Sequence, residues 1–270
     1  MIDLHCHLLD GIRGGADTFE ASLEMCRKAA ANDVRTIVAT PRWAAQEFEP
    51  PLGFNECQQK LERLHEAMPE AIALRPGFLL EFRPDLAALL DRYGSAIALG
   101  GGRTVFVFLP ALHVPLEADE VWSKAAEKGF SILLARAECN PALRNDSLRL
   151  ERWIKRGVML QLDAASITGM HGHEIQHFAL QCVKKYEGSI VFASQTGSKG
   201  ARPSSLRLAR EQLLKKNPAR RIRKLHETLA AMIDNAQNNP GEGGDSHTLR
   251  LSRFSRLRAL RSQKVVPDES

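Results

Sequence analysis

The chain has 270 residues, of which 44% are hydrophobic, and a formal net charge of +5, which is enough for one large domain with a full core or two modest ones. It lacks any run of about 18 apolar residues and has a polar N-terminus, which argues against a membrane span and a secretion signal. Its five cysteines are an odd number without a CxxC pair, which favours reduced thiols in a cytoplasmic protein.

Short apolar runs alternate with amphipathic stretches along most of the chain. In chain order the predicted elements are strand 1–5, helix 17–32, strand 36–39, helix 55–68, strands 71–74 and 78–82, helix 85–93, strand 104–109, helix 117–128, strand 131–135, helix 147–156, strand 158–162, helix 173–185, strand 189–193 and helices 204–215 and 219–234. Asp17 is predicted to cap the first helix, with Glu20 three residues later. Repeated β-α units favour a parallel sheet closed into a barrel, whose functional groups lie where the strands end.

Residues 1–235 contain all of these elements and are predicted to form one barrel domain. Residues 236–248, rich in Asn, Gly and Pro, are predicted to be a flexible linker. Residues 249–270 form a basic tail, in which arginines alternate with leucines as in a basic amphipathic helix. Two interpretations of this tail stay open: a solvated segment, because isolated short helices are marginal, or a contact with an anionic surface or partner protein.

His5 and His7 follow the first predicted strand. Alternate residues of a strand point to the same side, so the two imidazoles are expected to face one way. At the C-terminal mouth of a barrel such a pair is a common start of a metal site, although two histidines are too few ligands by themselves.

Five sequence blocks follow one another in a characteristic order. They read HCHLLDGIRGGA at 5–16, TIVATPR at 36–42, LARAECN at 134–140, GVMLQLDAASITG at 157–169 and FASQTGSKGARP at 192–203. The blocks resemble HCH(I/L)LPGIDDGA, TI(I/V)ATPH, LAHPERN, Gxx(L/F)QINxxS(L/I)xG, and IASDAH followed by GxRP. These patterns are typical of the CpsB/CapC-type bacterial protein-tyrosine phosphatases of the PHP (polymerase and histidinol phosphatase) superfamily.

The resemblance implies an α/β fold, a distorted (β/α)7 PHP-type barrel, here with a flexible basic C-terminal tail. It also implies that several bound metal ions, manganese or another divalent metal, hydrolyse phosphotyrosine. Such proteins usually serve a tyrosine kinase that controls capsule or exopolysaccharide assembly. The implied partner is a phosphotyrosine protein or another phosphorylated or anionic ligand, and a homo-oligomer stays open.

Most of the metal ligands of this family are replaced in the chain. His5 and His7 match two of them, and Arg202 matches a phosphate-binding arginine. The replaced positions of the family's site are Gly14, Arg42, Leu79, Phe108, Arg136, Cys139, Gln195 and Gly197. Glu81 lies two residues after Leu79 on the same strand face and would substitute for the lost bridging acid only after a shift of register.

These replacements predict that a di- or trinuclear metal centre does not form. A divalent metal that activates water needs several carboxylate or imidazole ligands, which Leu, Phe and Gly cannot supply, and a protonated arginine repels the ion. A mononuclear site on His5, His7 and Glu81 stays open. So does a chain without metal, in which the two histidines are hydrogen-bonded remnants.

Four arginines are expected near the mouth of such a barrel: Arg13, Arg42, Arg136 and Arg202. Guanidinium groups bind phosphate without a metal, so their fixed charge would replace the lost metal charge and retain an anion site without hydrolysis. The opposing interpretation is sequence drift, with surface arginines that share no ligand. No residue is assigned a catalytic role.

Other candidate groups are weaker. His171, His173 and His177 surround the start of a predicted helix at a spacing that can bind a metal, but they are predicted to be solvated. Cys139 lacks a phosphatase signature loop and a partner base, so it is not predicted to be a nucleophile. Three functions remain open: a catalytically impaired family member, or pseudoenzyme, that binds an anionic ligand; an active protein-tyrosine phosphatase with a reduced metal site; and a non-catalytic interaction protein that acts through its basic tail.

Overall fold

The computed structural model describes residues 1–68, 72–197, 204–217 and 219–234. Its strands are β1 Ile2–Cys6, β2 Thr36–Ala39, β3 Arg42–Trp43, β4 Ala73–Pro76, β5 Leu79–Glu81, β6 Thr104–Phe108, β7 Ser131–Ala135, β8 Met159–Asp163 and β9 Ile190–Ala193. Three strands form a sheet in the order β1-β2-β4, and six form a sheet in the order β3-β5-β6-β7-β8-β9. Every pairing between these described strands is parallel.

The two sheets join into one closed barrel. Two residues separate β2 from β3, and two separate β4 from β5, so each pair continues a single strand position from one sheet into the other. After β9 the chain meets β1 again: the amide of His7 donates to the carbonyl of Thr196 at 2.7 Å, and the amide of Thr196 donates to the carbonyl of His5 at 3.2 Å. The described strands therefore occupy seven positions around a barrel, which confirms the predicted α/β architecture.

Helices connect the strands and cover the barrel. They are α1 Phe19–Ala31, α2 Phe54–Ala67, α3 Leu86–Tyr93, α4 Ala118–Glu127, α5 Pro141–Arg144, α6 Ser147–Lys155, α7 Ala164–Ile167, α8 His173–Lys185, α9 Ser204–Lys216 and α10 Ala219–Asp234. The predicted helices and strands agree with these bounds to within two residues. The short elements β3, α5 and α7 were not predicted, because two to four residues are too few to show a periodic pattern.

The predicted cap of α1 was wrong by one residue. Thr18, not Asp17, is the N-cap: its backbone is extended, and its hydroxyl accepts a hydrogen bond from the amide of Ala21 at 3.2 Å. The helix begins at Phe19, so the side chain of Thr18 is the one within reach of the free amides of the first turn.

Apolar side chains fill the barrel and the layer between strands and helices. The inner cluster contains inward-facing residues of successive strands, namely Leu4, Val38, Leu79, Phe106, Leu133 and Val191. Leu229 and Ile233 of α10 pack against this cluster, together with Leu99, which precedes β6. The backbone of Gly100 (φ +63°) lets α10 approach closely, since a Cβ there would lie 3.2 Å from Ile233. The helix α10 therefore covers the end at which the strands begin, opposite the ends where function is expected.

Several predictions concern residues that lie outside the described part of the chain. These are the linker 236–248, the tail 249–270 and Arg202. In the part that the structure describes, no helix is long and apolar enough to cross a membrane. All five cysteines are described and are free thiols, as predicted.

Candidate functional site

The first strand brings His5 and His7 to the C-terminal mouth of the barrel. The register between β1 and β2 shifts within β1. Because of this shift, two consecutive residues both face the interior of the barrel. Leu4 belongs to the inner cluster, and His5 contacts the side chains of Phe106 and Gln161. The imidazole rings of His5 and His7 lie edge to face with centroids 5.2 Å apart. Both rings thus share one side of the strand end, as the H-x-H spacing predicted.

Hydrogen bonds assign the tautomer of both imidazoles. The side-chain oxygen of Gln161 accepts from Nδ1 of His5 at 3.1 Å and from the amide of Arg136 at 3.2 Å, while the carbonyl of Thr40 accepts from Nδ1 of His7 at 2.9 Å. Because these oxygens only accept, each neutral ring carries its proton on Nδ1 and a lone pair on Nε2. Nε2 of His5 is buried and has no hydrogen-bond partner. This is the tautomer that a metal-binding histidine needs.

The surroundings of both histidines favour the neutral form of the ring. Burial lowers the pKa of His5 to about 3, and the charges of His7 and Arg136 act in the same direction. Burial also lowers the pKa of His7; the hydrogen bond to Thr40 opposes this shift and the charge of Arg42 adds to it. Arg42 and Arg136 are therefore close enough to influence the histidine pair. Two of the four predicted arginines lie at the same mouth.

Arg42 is held loosely. Its guanidinium lies over the ring of Phe108, 4.4 Å from the centroid, and its Nη2 is 3.8 Å from Oε1 of Glu81. The side chain is 45% exposed. The other carboxylate oxygen of Glu81 accepts from the amide of Ala45 at 3.2 Å. Exposed ion pairs of this kind contribute about 0–1 kcal/mol, so stacking on Phe108 matters as much as the charge of Glu81.

Arg136 is held firmly. It follows β7 in the left-handed region (φ +53°), and its Nε donates to Oδ2 of Asp163 at 2.6 Å. Asp163, the last residue of β8, is fully buried, whereas the arginine side chain keeps 35% of its surface exposed. Nη2 of Arg136 also points at the Cys139 thiol, 3.6 Å away. This buried carboxylate has a charge partner that cannot lose its proton.

Three further side chains complete the surroundings of Asp163. Nε2 of Gln161 donates to Oδ1 at 3.2 Å, and Nε2 of His171 lies 3.4 Å from Oδ2. With its amide oriented to suit both neighbours, Gln195 donates to Asp163 at 3.0 Å and accepts from Arg136 at 3.1 Å. Burial raises the pKa of Asp163, but the hydrogen bond from His171 and the charge of Arg136 outweigh it and leave that pKa below its usual value.

A buried carboxyl group lies directly behind this ion pair. Oε1 of Glu138 accepts from the amide of Asp163 at 2.7 Å and from the hydroxyl of Ser166 at 2.6 Å. Burial and the charge of Asp163 raise the pKa of Glu138 to about 7. Burial and the charge of Glu138 raise the pKa of the Cys139 thiol to about 12. These surroundings favour the protonated thiol, and the absence of a nucleophilic role for Cys139 stays a prediction.

Two glycines close the mouth beside His7. A Cβ at Gly197 would lie 2.9 Å from the carbonyl of Gly14 and 3.6 Å from the ring of His7. The loop that carries Gly14 also carries Arg13, which is exposed. A larger side chain at position 197, such as the histidine of the SDAH pattern, would require this loop to move.

The metal centre that the family implies can be tested against these side chains. His5 and His7 present Nε2 lone pairs, as ligands would. Glu81 instead faces Arg42 and the amide of Ala45. Among the described residues, three potential metal ligands have donor atoms that lie close together, and this group contains neither His5 nor His7. The residues present do not fit a multinuclear centre, and the predicted trio of His5, His7 and Glu81 is not assembled.

Several site residues were missed by sequence reasoning. Asp163 stands where the QIN pattern has asparagine, at the end of a predicted strand, and strand ends were the places to inspect. His171 is exposed, as predicted, but also contacts Asp163, and His177 is exposed and bonds to Gln181. Glu138 gave no signal beyond its place in the third block, because only the fold brings it behind Asp163.

The barrel and its histidine mouth define a class of protein, and comparison with known families agrees. The family described as "Capsular polysaccharide synthesis, CpsB/CapC" matches residues 1–235. The chain belongs to this family.

Individual relatives carry phosphatase names. The chain is 26% identical over 187 residues to the tyrosine-protein phosphatase YwqE of Bacillus subtilis, covering 68% of this chain and 72% of YwqE. It is 21% identical over 213 residues to the putative tyrosine-protein phosphatase CapC of Staphylococcus aureus, covering 77% of this chain and 81% of CapC. A structure solved in work on YwqE and on CpsB from Streptococcus pneumoniae, described as unique metal-dependent tyrosine phosphatases, has a TM-score of 0.78 at 23% identity, covering 87% of this chain and 95% of that chain.

Proposed function

We propose that this homologue of metal-dependent tyrosine phosphatases binds a phosphorylated or other anionic ligand at its mouth through arginines, and that its own hydrolytic activity is impaired. One observation carries the proposal. The guanidinium of Arg136, at the position of the histidine in the LAHPERN pattern, is bonded at 2.6 Å to the buried carboxylate of Asp163. A fixed cation thus lies where the family pattern has a metal ligand.

The impairment follows from the chemistry of the donors. Hydrolysis in this class needs a metal to lower the pKa of a bound water. His5 and His7 can each offer one nitrogen, but Glu81 is turned towards Arg42. When bound, a metal would supply the hydroxide. Without a third ligand and with two arginines nearby, such an ion would be weakly held.

The anion site rests on spare hydrogen-bond donors. A guanidinium has five N–H groups. Arg136 uses them towards Asp163, Gln195 and the Cys139 thiol, and its 35% exposed surface leaves others for a ligand. Arg42 is 45% exposed and its ion pair is long, so it can turn to a ligand while it remains stacked on Phe108.

The ligand would be bound by suitably oriented guanidinium N–H groups rather than by a net positive charge. Arg42 and Arg136 each have a carboxylate partner, so the two pairs are close to neutral together. Bidentate guanidinium contacts to a phosphate favour binding even then. Arg13 lies in the loop beside His7, and Arg202 matches the GxRP pattern, so both remain candidates for further phosphate contacts.

Phosphotyrosine is the first ligand to test, because the relatives are named tyrosine-protein phosphatases. The description of the family refers to capsular polysaccharide synthesis. A phosphotyrosine peptide would be titrated calorimetrically into the tag-free protein, with the unphosphorylated peptide as a reference. We expect saturable binding of the phosphorylated form. The Arg42→Ala variant should bind about tenfold more weakly, the effect of losing a charge-assisted bond.

A matched control is available at the opposite end of the barrel. Arg103 is exposed and stacks on Phe130 at 4.9 Å, as Arg42 stacks on Phe108, but it precedes β6. Arg103→Ala should leave the affinity unchanged. Equal binding by wild type and Arg42→Ala, or equal binding of both peptides, would contradict the proposed anion site.

An active enzyme with a reduced metal site is the second candidate. The Nδ1-protonated tautomers of His5 and His7 favour it, because each ring keeps its lone pair on Nε2 and the Nε2 of His5 has no hydrogen-bond partner. The test is metal content after manganese loading and desalting, together with aryl-phosphate hydrolysis. Turnover that depends on metal and is lost in His7→Ala would refute the impairment. Neither metal nor turnover would support it. Action through the basic tail remains a prediction about residues outside the described part.

A further inference from the structure

Three side chains around Arg136 have the composition of a metal site. The Cys139 thiol, a carboxylate oxygen of Asp163 and an imidazole nitrogen of His171 all lie within 4.8 Å of one another. Sulfur, imidazole and carboxylate together suit zinc, which commonly takes four ligands. None of the residues is His5 or His7, so the ligand set differs from the histidine pair, although Gln161 bonds to both His5 and Asp163.

A cation already contacts two of these ligands. Nε of Arg136 is 2.6 Å from Oδ2 of Asp163, and its Nη2 is 3.6 Å from Sγ of Cys139. Gln195 bonds to both members of the ion pair. A metal ion bound to Cys139 and Asp163 would meet the guanidinium at van der Waals distance or closer, and the two positive charges would repel each other.

We propose that Arg136 is the resident cation of a latent zinc site made by Cys139, Asp163 and His171, and that its guanidinium keeps metal out. The guanidinium neutralises Asp163 and, unlike a metal ion, is part of the chain. The arrangement of the mouth therefore does not depend on the metal concentration. Removal of the guanidinium opens the site. Zn²⁺ then binds the thiolate, the carboxylate and the imidazole, with water as a fourth ligand, and the thiol proton is released to solvent.

This inference does not depend on the proposed anion site, because it concerns metal uptake and not phosphate binding. It also explains why the two arginines of the mouth differ. Arg42 pairs with a partly exposed carboxylate 3.8 Å away, whereas Arg136 bonds to two members of the ligand set, Asp163 and Cys139.

Metal uptake by the full-length protein tests the inference. Wild type, Arg136→Ala and the double variant Arg136→Ala/Cys139→Ser would be equilibrated with Zn²⁺ and desalted, and zinc would be measured per chain. We expect Arg136→Ala to retain about one zinc more than wild type. The double variant should return to the wild-type value. Equal zinc in wild type and Arg136→Ala, or undiminished zinc in the double variant, would overturn the proposal.

Cobalt gives a readout that binding at the histidine pair cannot imitate. Co²⁺ bound to a thiolate shows a thiolate-to-metal charge-transfer absorption. The other cysteines, Cys6, Cys26, Cys57 and Cys182, are buried. The band should therefore appear in Arg136→Ala and be absent both in wild type and in the double variant. A band in wild type would show that Arg136 does not exclude the metal.

Thermal unfolding covers the case in which the alanine variant folds poorly. Arg136→Gln keeps a polar side chain near Asp163 and is the milder replacement. Zinc should raise the unfolding midpoint of either single variant, and a chelator should reverse the effect. The midpoint of wild type should respond to neither. A variant that folds without zinc and gains nothing from it would contradict the latent site.

Discussion

Arg42, in β3, and Arg136, directly after β7, both lie near the histidine pair, yet the fold uses them in opposite ways. Arg42 has a carboxylate partner that is 25% exposed and 3.8 Å away. The partner of Arg136 is fully buried and 2.6 Å away. In both places an arginine stands where the family pattern has a histidine, but Arg42 is adaptable and Arg136 is fixed. The burial of the partner decides which, because a buried carboxylate cannot be left uncompensated.

Stability should show the largest contrast between the two sides. Arg136→Ala leaves the buried carboxylate of Asp163 without its charge partner and should lower the free energy of unfolding by about 3 kcal/mol, towards the low end for buried pairs because the arginine is partly exposed. Arg42→Ala should lower it by about 1 kcal/mol or less. Chemical denaturation without added metal measures both.

A double replacement sharpens this test. Changing Arg136 to Met and Asp163 to Leu removes both charges, so the double variant should lose less stability than the single variants together. Equal losses for Arg136→Ala and Arg42→Ala would remove the distinction between a fixed and an adaptable arginine.

The pH dependence of stability comes next, and it belongs to the Arg136 side. The pKa of Glu138 is raised to about 7 in the folded protein, against about 4.3 in an unfolded chain. Such a group stabilises the fold at low pH, and this contribution is lost as the pH rises to about 7. The stability of wild type relative to Glu138→Gln should therefore fall between about pH 4.3 and pH 7 and then level off. A difference that does not change with pH would show that Glu138 is not held in its protonated form.

The smallest effect is expected from Glu81. Its ion pair with Arg42 contributes about 0–1 kcal/mol, so Glu81→Gln should hardly change stability. The variant frees the Arg42 guanidinium, and it should bind a phosphotyrosine peptide up to about fivefold more tightly. Calorimetric titration measures this. Weaker binding by Glu81→Gln would mean that Glu81 orients Arg42 and does not compete for it.

Much of the fold was accessible from sequence patterns. Alternating strand and helix periods placed the elements within two residues, since each segment carries its own apolar face. The H-x-H spacing at the end of β1 predicted that the two imidazoles face the same side, because side chains in a strand alternate with a period of two residues. The replacements at Arg42 and Arg136 were also evident from the blocks, and the absence of a multinuclear metal centre that they indicate stays a prediction.

The details of the candidate site were less accessible. The trio of His5, His7 and Glu81 required side chains from two strands to converge, and the structure instead turns Glu81 towards Arg42 and the amide of Ala45. The four arginines were expected to act alike. Arg42 and Arg136 do reach the mouth, but one is bound internally, Arg13 is an exposed loop residue, and Arg202 lies outside the described residues.

The sequence by itself determined the family and the order of strands and helices, because these depend on residue types and on short-range periodicity; the loss of metal ligands stays a prediction from the same residue types. The tertiary structure decided which charges meet. Asp163 and His171 come from other segments than Arg136, and Asp163 meets Arg136 and Glu138 only when β7 and β8 lie side by side. The strength of an ion pair depends on its distance and its burial, and neither quantity exists until the chain has folded.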